Sequence, residues 1–118
     1  MMRPALLLLS TTIAPAAALA ADATLTFQLA ADPANMTACL ALGPSFDRPF
    51  TVTMSGDVVE LISPGGIRSR MDPVGQDVYH TAFELSGERL DYTADLGATK
   101  SLSVRGNNLG CKWSAKSQ

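Results

Sequence analysis

Along most of the chain, apolar and polar residues alternate one by one instead of recurring every three or four positions. In residues 24–29, TLTFQL, the side chains of Leu25, Phe27 and Leu29 fall on one face and the polar side chains on the other. Alternation of this kind predicts a β-strand with one buried face. The same pattern returns in later segments, so we expect a chain built mainly from strands.

A two-residue turn is predicted within residues 49–63, PFTVTMSGDVVELIS. Gly56-Asp57 is the Gly-X pair that suits a type II′ turn, the connection that best matches the twist of two paired strands. This turn sets Met54 opposite Val59 and Val52 opposite Leu61. All four side chains then share one apolar face, as a half-buried hairpin requires.

Two further strands and a hairpin are predicted beyond the break at Ser63–Gly66. A short strand over Ile67–Met71 is expected to turn through Asp72–Gly75 and to continue as a strand over Asp77–Leu85. A second turn over residues 85–88 then sets Glu84 opposite Arg89 on the outer face. The inner face of these and the following segments contains Tyr79, Thr81, Phe83, Leu85, Leu90, Tyr92, Ala94, Leu102 and Val104.

The last hairpin is expected to turn at Asn107-Asn108, because asparagine tolerates the positive φ of a type I′ turn. That register places Val104 opposite Cys111 and Leu102 opposite Trp113. The residues directed inward on the final strand are then Leu109, Cys111 and Trp113. The single tryptophan and one of the two cysteines would therefore share the core face.

The fold class predicted from these segments is all-β: a small antiparallel meander of about seven to eight strands forming a barrel or a sandwich. Residues 32–43 are less regular, because Asp32-Pro33 suits a helix start and Gly43 a helix end, while the same residues could also form a strand. A short N-terminal helix or helical turn carrying Cys39 is the preferred interpretation.

The first twenty residues, MMRPALLLLSTTIAPAAALA, have the order of a secretory signal peptide. Arg3 supplies the positive charge, leucines form the apolar centre, and Ala18-Leu19-Ala20 supplies small residues before a cleavage point. The apolar run is too short to span a bilayer, which takes roughly 20 residues. We therefore expect a periplasmic or secreted protein whose single β domain is residues 21–118, without stable membrane insertion after cleavage.

Charge and cysteine content narrow the expected partners and compartment. Cleavage would leave 98 residues with 8 basic and 11 acidic side chains, a net charge of −3, which argues against a nucleic-acid binder. In an oxidising compartment, the two cysteines are expected to form one disulfide, Cys39–Cys111. A metal site or other cofactor is not expected, because two cysteines and one histidine lack further ligands at suitable spacing.

No familiar catalytic arrangement is present, so the protein is not expected to be an enzyme. His80 is the only histidine, and no Gly-x-Ser-x-Gly elbow accompanies it. Arg68 and Arg70 are two positions apart and would share a strand face, and the turn over 72–75 would set His80 across from Arg68. Such a cationic patch would suit a protein or a small anionic ligand as partner.

Ser86-Gly87-Glu88-Arg89 resembles part of the loop that small periplasmic inhibitors of c-type lysozyme insert into their target. The likeness covers these four residues, and Leu90 stands where that family has an aromatic, so membership is not predicted. It implies Ser86 and Arg89 as further candidate contact residues. The expected function is non-catalytic binding, with inhibition of a secreted hydrolase or a structural role in the cell envelope as alternatives.

Overall fold

The chain folds as an all-β antiparallel meander whose nine strands curl into a half-barrel. The computed structural model describes residues 22–35, 40, 42–85, 87–107 and 110–117. The predicted fold class is confirmed, but the prediction of seven to eight strands was too low. The strands are β1 (Ala23–Phe27), β2 (Ala30–Ala31), β3 (Phe50–Ser55), β4 (Val58–Ile62), β5 (Arg68–Gly75), β6 (Val78–Leu85), β7 (Glu88–Asp95), β8 (Ser101–Gly106) and β9 (Lys112–Lys116).

Strand β5 passes from one part of the sheet to the other. Its first half pairs with β4, with Met71 opposite Val59, and its second half pairs with β6, with Asp72 opposite His80. The register shifts between Pro73 and Gly75, which is a β-bulge. A bulge bends its strand and increases the local twist, and strands that change sheets commonly use one.

The first two strands, β1 and β2, lie at opposite ends of the sheet. In strand order, β1 is at one end beside β3 and β2 is at the other end beside β9, although only two residues separate β1 from β2 along the chain. Phe27 pairs with Phe50, and Ala31 pairs with Trp113. The bend at Gln28-Leu29 therefore brings the two edges of the sheet together.

The core lies inside the half-barrel and is formed by the alternating positions that the sequence predicts. Leu90, Tyr92 and Ala94 of β7 are buried, while Arg89 and Asp95 on the same strand are exposed. The other buried apolar residues are Phe27, Leu29, Leu42, Phe46, Phe50, Val52, Val59, Leu61, Met71, Leu102, Val104, Cys111 and Trp113. Tyr79, Phe83 and Leu85 pack against them from β6.

Two 3₁₀ turns, Pro33–Asn35 and Gly43–Phe46, are the helical structure among the described residues. The second turn places Phe46 against Trp113, with ring centroids 4.2 Å apart, and against Phe50 at 5.5 Å. The Nε2 amide of Gln28 donates to the backbone carbonyls of Phe46 and Asp47 at 3.2 and 3.3 Å. The bend between β1 and β2 thus fixes this turn over the core.

The hairpin predicted at Gly56-Asp57 is confirmed. Met54 pairs with Val59 and Val52 with Leu61, as the alternation requires. Gly56 has φ of 65°, and Asp57 is not among the residues with positive φ. One positive φ at the first position is typical of a type II′ turn.

The turn predicted over Asp72–Gly75 is wrong. These residues continue β5, and the strand connection comes later, where Asp77 takes a φ of 60°. Proline and glycine normally indicate turns, but a bulge also tolerates them because pairing is already interrupted there. As a result His80 pairs with Asp72 and not with Arg68, so the predicted neighbourhood of His80 is also wrong.

The register predicted for the last hairpin is wrong by two residues. Val104 pairs with Trp113 and Leu102 with Ala115, and the backbone N–H of Gly106 donates to the carbonyl of Cys111 at 2.8 Å. A shift of two residues preserves the face on which each side chain lies, because strand side chains alternate with a period of two. Cys111 and Trp113 are therefore buried as predicted, despite the incorrect pairing.

Several predictions fall on residues outside the described ranges: the signal peptide over residues 1–20, Cys39 with its helical turn, Ser86 and Leu109. The Cys39–Cys111 bridge stays a prediction for that reason. Within residues 32–43, Gly43 begins a 3₁₀ turn instead of ending a helix. Among the described residues, no helix is long and apolar enough to cross a membrane.

Candidate functional site

A groove with a volume of about 850 Å³ lies on the outer face of β7, β8, β9 and β2. A row of small side chains crosses these four strands: Thr93 pairs with Ser103, Ser103 with Ser114, and Ser114 with Ala30. We call Thr93, Ser103, Ser114 and Ala30 the floor row. Three of its four members carry hydroxyl groups, which both donate and accept hydrogen bonds.

A row of charged side chains borders the floor row. Asp91 pairs with Arg105, and Arg105 pairs with Lys112. On each of β7, β8 and β9, the charged residue lies two positions from the floor-row residue, on the same outer face. We call Asp91, Arg105 and Lys112 the charged row. At the end of the row, the backbone N–H of Asp32 donates to the carbonyl of Lys112 at 2.9 Å, which places the Asp32-Pro33 segment at the rim.

Arg105 and Lys112 are like charges on directly opposed positions of neighbouring strands. Both side chains are exposed, and both line the groove. A second, smaller cavity of about 380 Å³ is also lined by Arg105, Lys112 and Asn107. Arg105 and Lys112 therefore line both cavities.

Asp91 is held by two basic side chains. The Nε2 of His80 lies 2.9 Å from Asp91 Oδ1, and an Nη of Arg89 lies 3.5 Å from the same oxygen. The hydrogen bond from His80 is the largest cause that lowers the pKa of Asp91 below its ordinary value. Asp91 is therefore a fixed negative charge at neutral pH, and its second oxygen takes part in neither contact.

The residues predicted as contact residues do not form one patch. Arg68 bonds Glu60 through its Nη1 at 3.1 Å, on the outer face of β4 and β5, and Arg70 is paired in register with Glu60. His80 and Arg89 instead meet at Asp91, beside the groove. Ser86 lies outside the described residues, so its role as a contact residue stays a prediction.

Strands β6 and β7 are paired as far as Leu85 and Glu88, the two residues that flank their connection. Glu88 is buried, and a Cβ added to Gly106 would come within 2.7 Å of its Oε2. Glu88 thus occupies an inward position, where the absence of a side chain at residue 106 makes room for its carboxylate.

Arg105 and Lys112 were missed from the sequence because the last hairpin was given the wrong register. A turn at Asn107-Asn108 pairs Arg105 with Gly110, and the two cations are then not opposite each other. A longer connection, closed by the Gly106 to Cys111 hydrogen bond, brings them together. The alternation of polar and apolar residues over Lys112, Trp113 and Ser114 could not have corrected this error. A register shift of two residues leaves the same side chains on the buried face.

Among the described residues, no group of three or more histidine, cysteine, aspartate or glutamate side chains could hold a metal ion. Comparisons with protein-family models, with curated proteins and with solved structures found no match.

Proposed function

We propose that the protein is an exported binding protein without catalytic activity, which takes a small anionic ligand in the groove beside Arg105 and Lys112. The observation that carries this proposal is the cross-strand pairing of these two cations in the wall of a cavity. An anion bound between them would accept charge-assisted hydrogen bonds from both side chains.

The size of the groove agrees with a small ligand. Its volume of about 850 Å³ lies within the range of roughly 300–1,000 Å³ typical of small-molecule sites. The site is open to solvent along one side, where Arg105 and Lys112 are exposed. Exposed charges interact weakly in water, so we expect affinity in the millimolar to micromolar range, sensitive to salt.

Export and a disulfide belong to the same proposal. The leader-like residues 1–20 support secretion or a periplasmic location. Cys111 is completely buried directly before the last strand, where a bridge to Cys39 would join the N-terminal segment to β9. Two cysteines in an oxidising compartment favour such a bridge.

The alternatives predicted from the sequence have less support. An inhibitor of a secreted hydrolase would use the turn over residues 85–88, but that connection is two residues long and Glu88 points inward. A structural envelope component would need no groove. Neither alternative gives a reason for two cations side by side in a cavity wall.

The test is a titration of uniformly ¹⁵N-labelled protein with sodium acetate, followed by amide chemical shifts. Sodium chloride at equal ionic strength serves as the reference titration. Acetate should shift the amides of Ser103, Arg105, Lys112 and Ser114 in a saturable way, whereas chloride should produce only small, linear changes. The expected shifts follow from an anion placed between the two cations.

Two matched variants complete the experiment. Arg105→Gln should abolish the saturable shifts, while Arg70→Gln removes an exposed arginine from the outer face of β5 and should leave them unchanged. Acetate-dependent shifts centred on Arg70, or equal responses to acetate and chloride in the unmodified protein, would overturn the proposal.

A further inference from the structure

The ligand class can be narrowed, on the basis of the proposed function, from the order of side chains along the groove. The floor row runs perpendicular to the strands, at the spacing of about 4.8 Å between neighbouring strands. Four strands contribute to it, so the floor extends over roughly 14 Å. The groove therefore accommodates an elongated molecule better than a compact ion.

The local charges limit how acidic that molecule can be. Arg105 and Lys112 bring two positive charges to the groove lining, and Asp91 and Asp32 bring two negative ones. The contact with His80 lowers the pKa of Asp91 below its ordinary value, so the carboxylate is negatively charged at neutral pH. A ligand with dense negative charge would meet these carboxylates, and like charges repel. One acidic group is therefore preferred over several.

The hydroxyl groups of Thr93, Ser103 and Ser114 indicate what the rest of the ligand should contain. Each can donate one hydrogen bond and accept others, which matches ligand hydroxyl groups better than an apolar surface. The second oxygen of Asp91 can accept a hydrogen bond from such a hydroxyl, since it makes neither of the contacts with His80 and Arg89.

We infer that the groove binds an acidic saccharide, a short chain of sugar rings bearing a single carboxylate that lies between Arg105 and Lys112. The hydroxyl groups of the sugar lie along the floor row, and one of them donates to Asp91. The ligand crosses β7, β8, β9 and β2 along the floor row, with the charged row beside it. A polyphosphate or nucleic acid is disfavoured by Asp91 and Asp32 at the same surface.

The experiment compares three probes by isothermal titration calorimetry at low ionic strength. They are an aldobiouronic acid (a disaccharide with one carboxylate), the neutral disaccharide in which that carboxylate is reduced to an alcohol, and acetate. The aldobiouronic acid should bind about tenfold or more tightly than either of the others, because only it satisfies both the cations and the hydroxyl row.

Two variants of β8 compare a substitution in the floor row with the same substitution outside the groove. Ser103→Leu fills the floor and should weaken binding of the aldobiouronic acid about tenfold or more, with little change for acetate. Ser101→Leu places the same side chain on the same face of β8, outside the groove, and should leave both probes unchanged. Circular dichroism should show that both variants keep the fold of the unmodified protein.

If acetate binds as tightly as the aldobiouronic acid, the saccharide inference is wrong while anion binding stands. If the neutral disaccharide equals the acidic one, the role of Arg105 and Lys112 is wrong. If neither acetate nor the aldobiouronic acid binds, the proposed function fails together with this inference.

Discussion

At the residue scale, Tyr92 places a hydroxyl group in the apolar core. Its ring stacks on Phe83, with centroids 4.6 Å apart, and lies 5.8 Å from Phe50, and the side chain is 1% exposed. Burial raises the pKa of the Tyr92 hydroxyl well above its ordinary value, with no hydrogen bond among the described residues contributing to the shift. A buried hydroxyl without a partner lowers stability.

We predict that Tyr92→Phe leaves the free energy of unfolding unchanged or raises it by about 1 kcal/mol, because the ring packing is kept and the buried hydroxyl is removed. Urea unfolding followed by circular dichroism measures the difference. Tyr79→Phe, on the neighbouring strand and only half-buried, is the matched control and should have little effect. A loss of more than about 1 kcal/mol in Tyr92→Phe would show that the hydroxyl has a partner.

At the element scale, the hairpin at Gly56-Asp57 depends on backbone conformation more than on contacts. Gly56 has φ of 65°, and a Cβ added there would meet no atom within 4 Å. A substitution at this position therefore tests the left-handed conformation without a steric clash. Gly65, in the next turn, lacks a positive φ, and an added Cβ would meet only Ser63 Oγ at 3.9 Å.

We predict that Gly56→Ala lowers the free energy of unfolding by about 1–2 kcal/mol, the usual cost of a left-handed conformation for a residue with a Cβ. Gly65→Ala should be close to neutral, because alanine there also reduces the freedom of the unfolded chain. Thermal unfolding of both variants gives the comparison. Equal stability of the two would contradict the assignment of a strained turn at Gly56.

The same scale shows why some turns could be predicted and others could not. Gly56-Asp57 has apolar alternation on both sides, so only one short connection keeps the core face continuous. Pro73 and Gly75 have the composition of a turn, yet they lie at a bulge where β5 changes partners. In both cases, glycine or proline in the sequence indicates that regular strand pairing is interrupted. Whether the interruption is a turn or a bulge depends on neighbouring strands that are distant in sequence.

At the scale of the whole molecule, alternation was enough to predict the fold class and most of the core. It was not enough for the groove, which depends on the register of β7, β8, β9 and β2 together. Arg105 and Lys112 meet only in the true register of the last hairpin. A register shift of two residues leaves every side chain on the same face, so burial patterns in the sequence cannot reveal it.

The two edges of the half-barrel meet at the N-terminal segment, which makes any link from this segment to β9 important for the stability of the whole molecule. Phe46 covers Trp113 from the 3₁₀ turn that Gln28 holds. The proposed bridge between Cys39 and Cys111 would fix the same region covalently. Closing a loop of this length constrains the unfolded chain by roughly 4 kcal/mol in the loop-entropy model.

We predict that protein recovered from the exported fraction begins at or near Ala21 and contains one Cys39–Cys111 bridge. Its intact mass without reductant should be lower than that of the reduced protein by the mass of two hydrogens. Reduction should lower the melting temperature by several degrees and shift the emission of Trp113 to the red, because the loss of the bridge loosens the segment that covers its ring. Cys39→Ser with Cys111→Ser should unfold at a still lower temperature, since the hydroxyl at position 111 would be buried. A native mass that is unchanged by reductant would exclude the bridge, and a recovered chain retaining residues 1–20 would contradict export with cleavage.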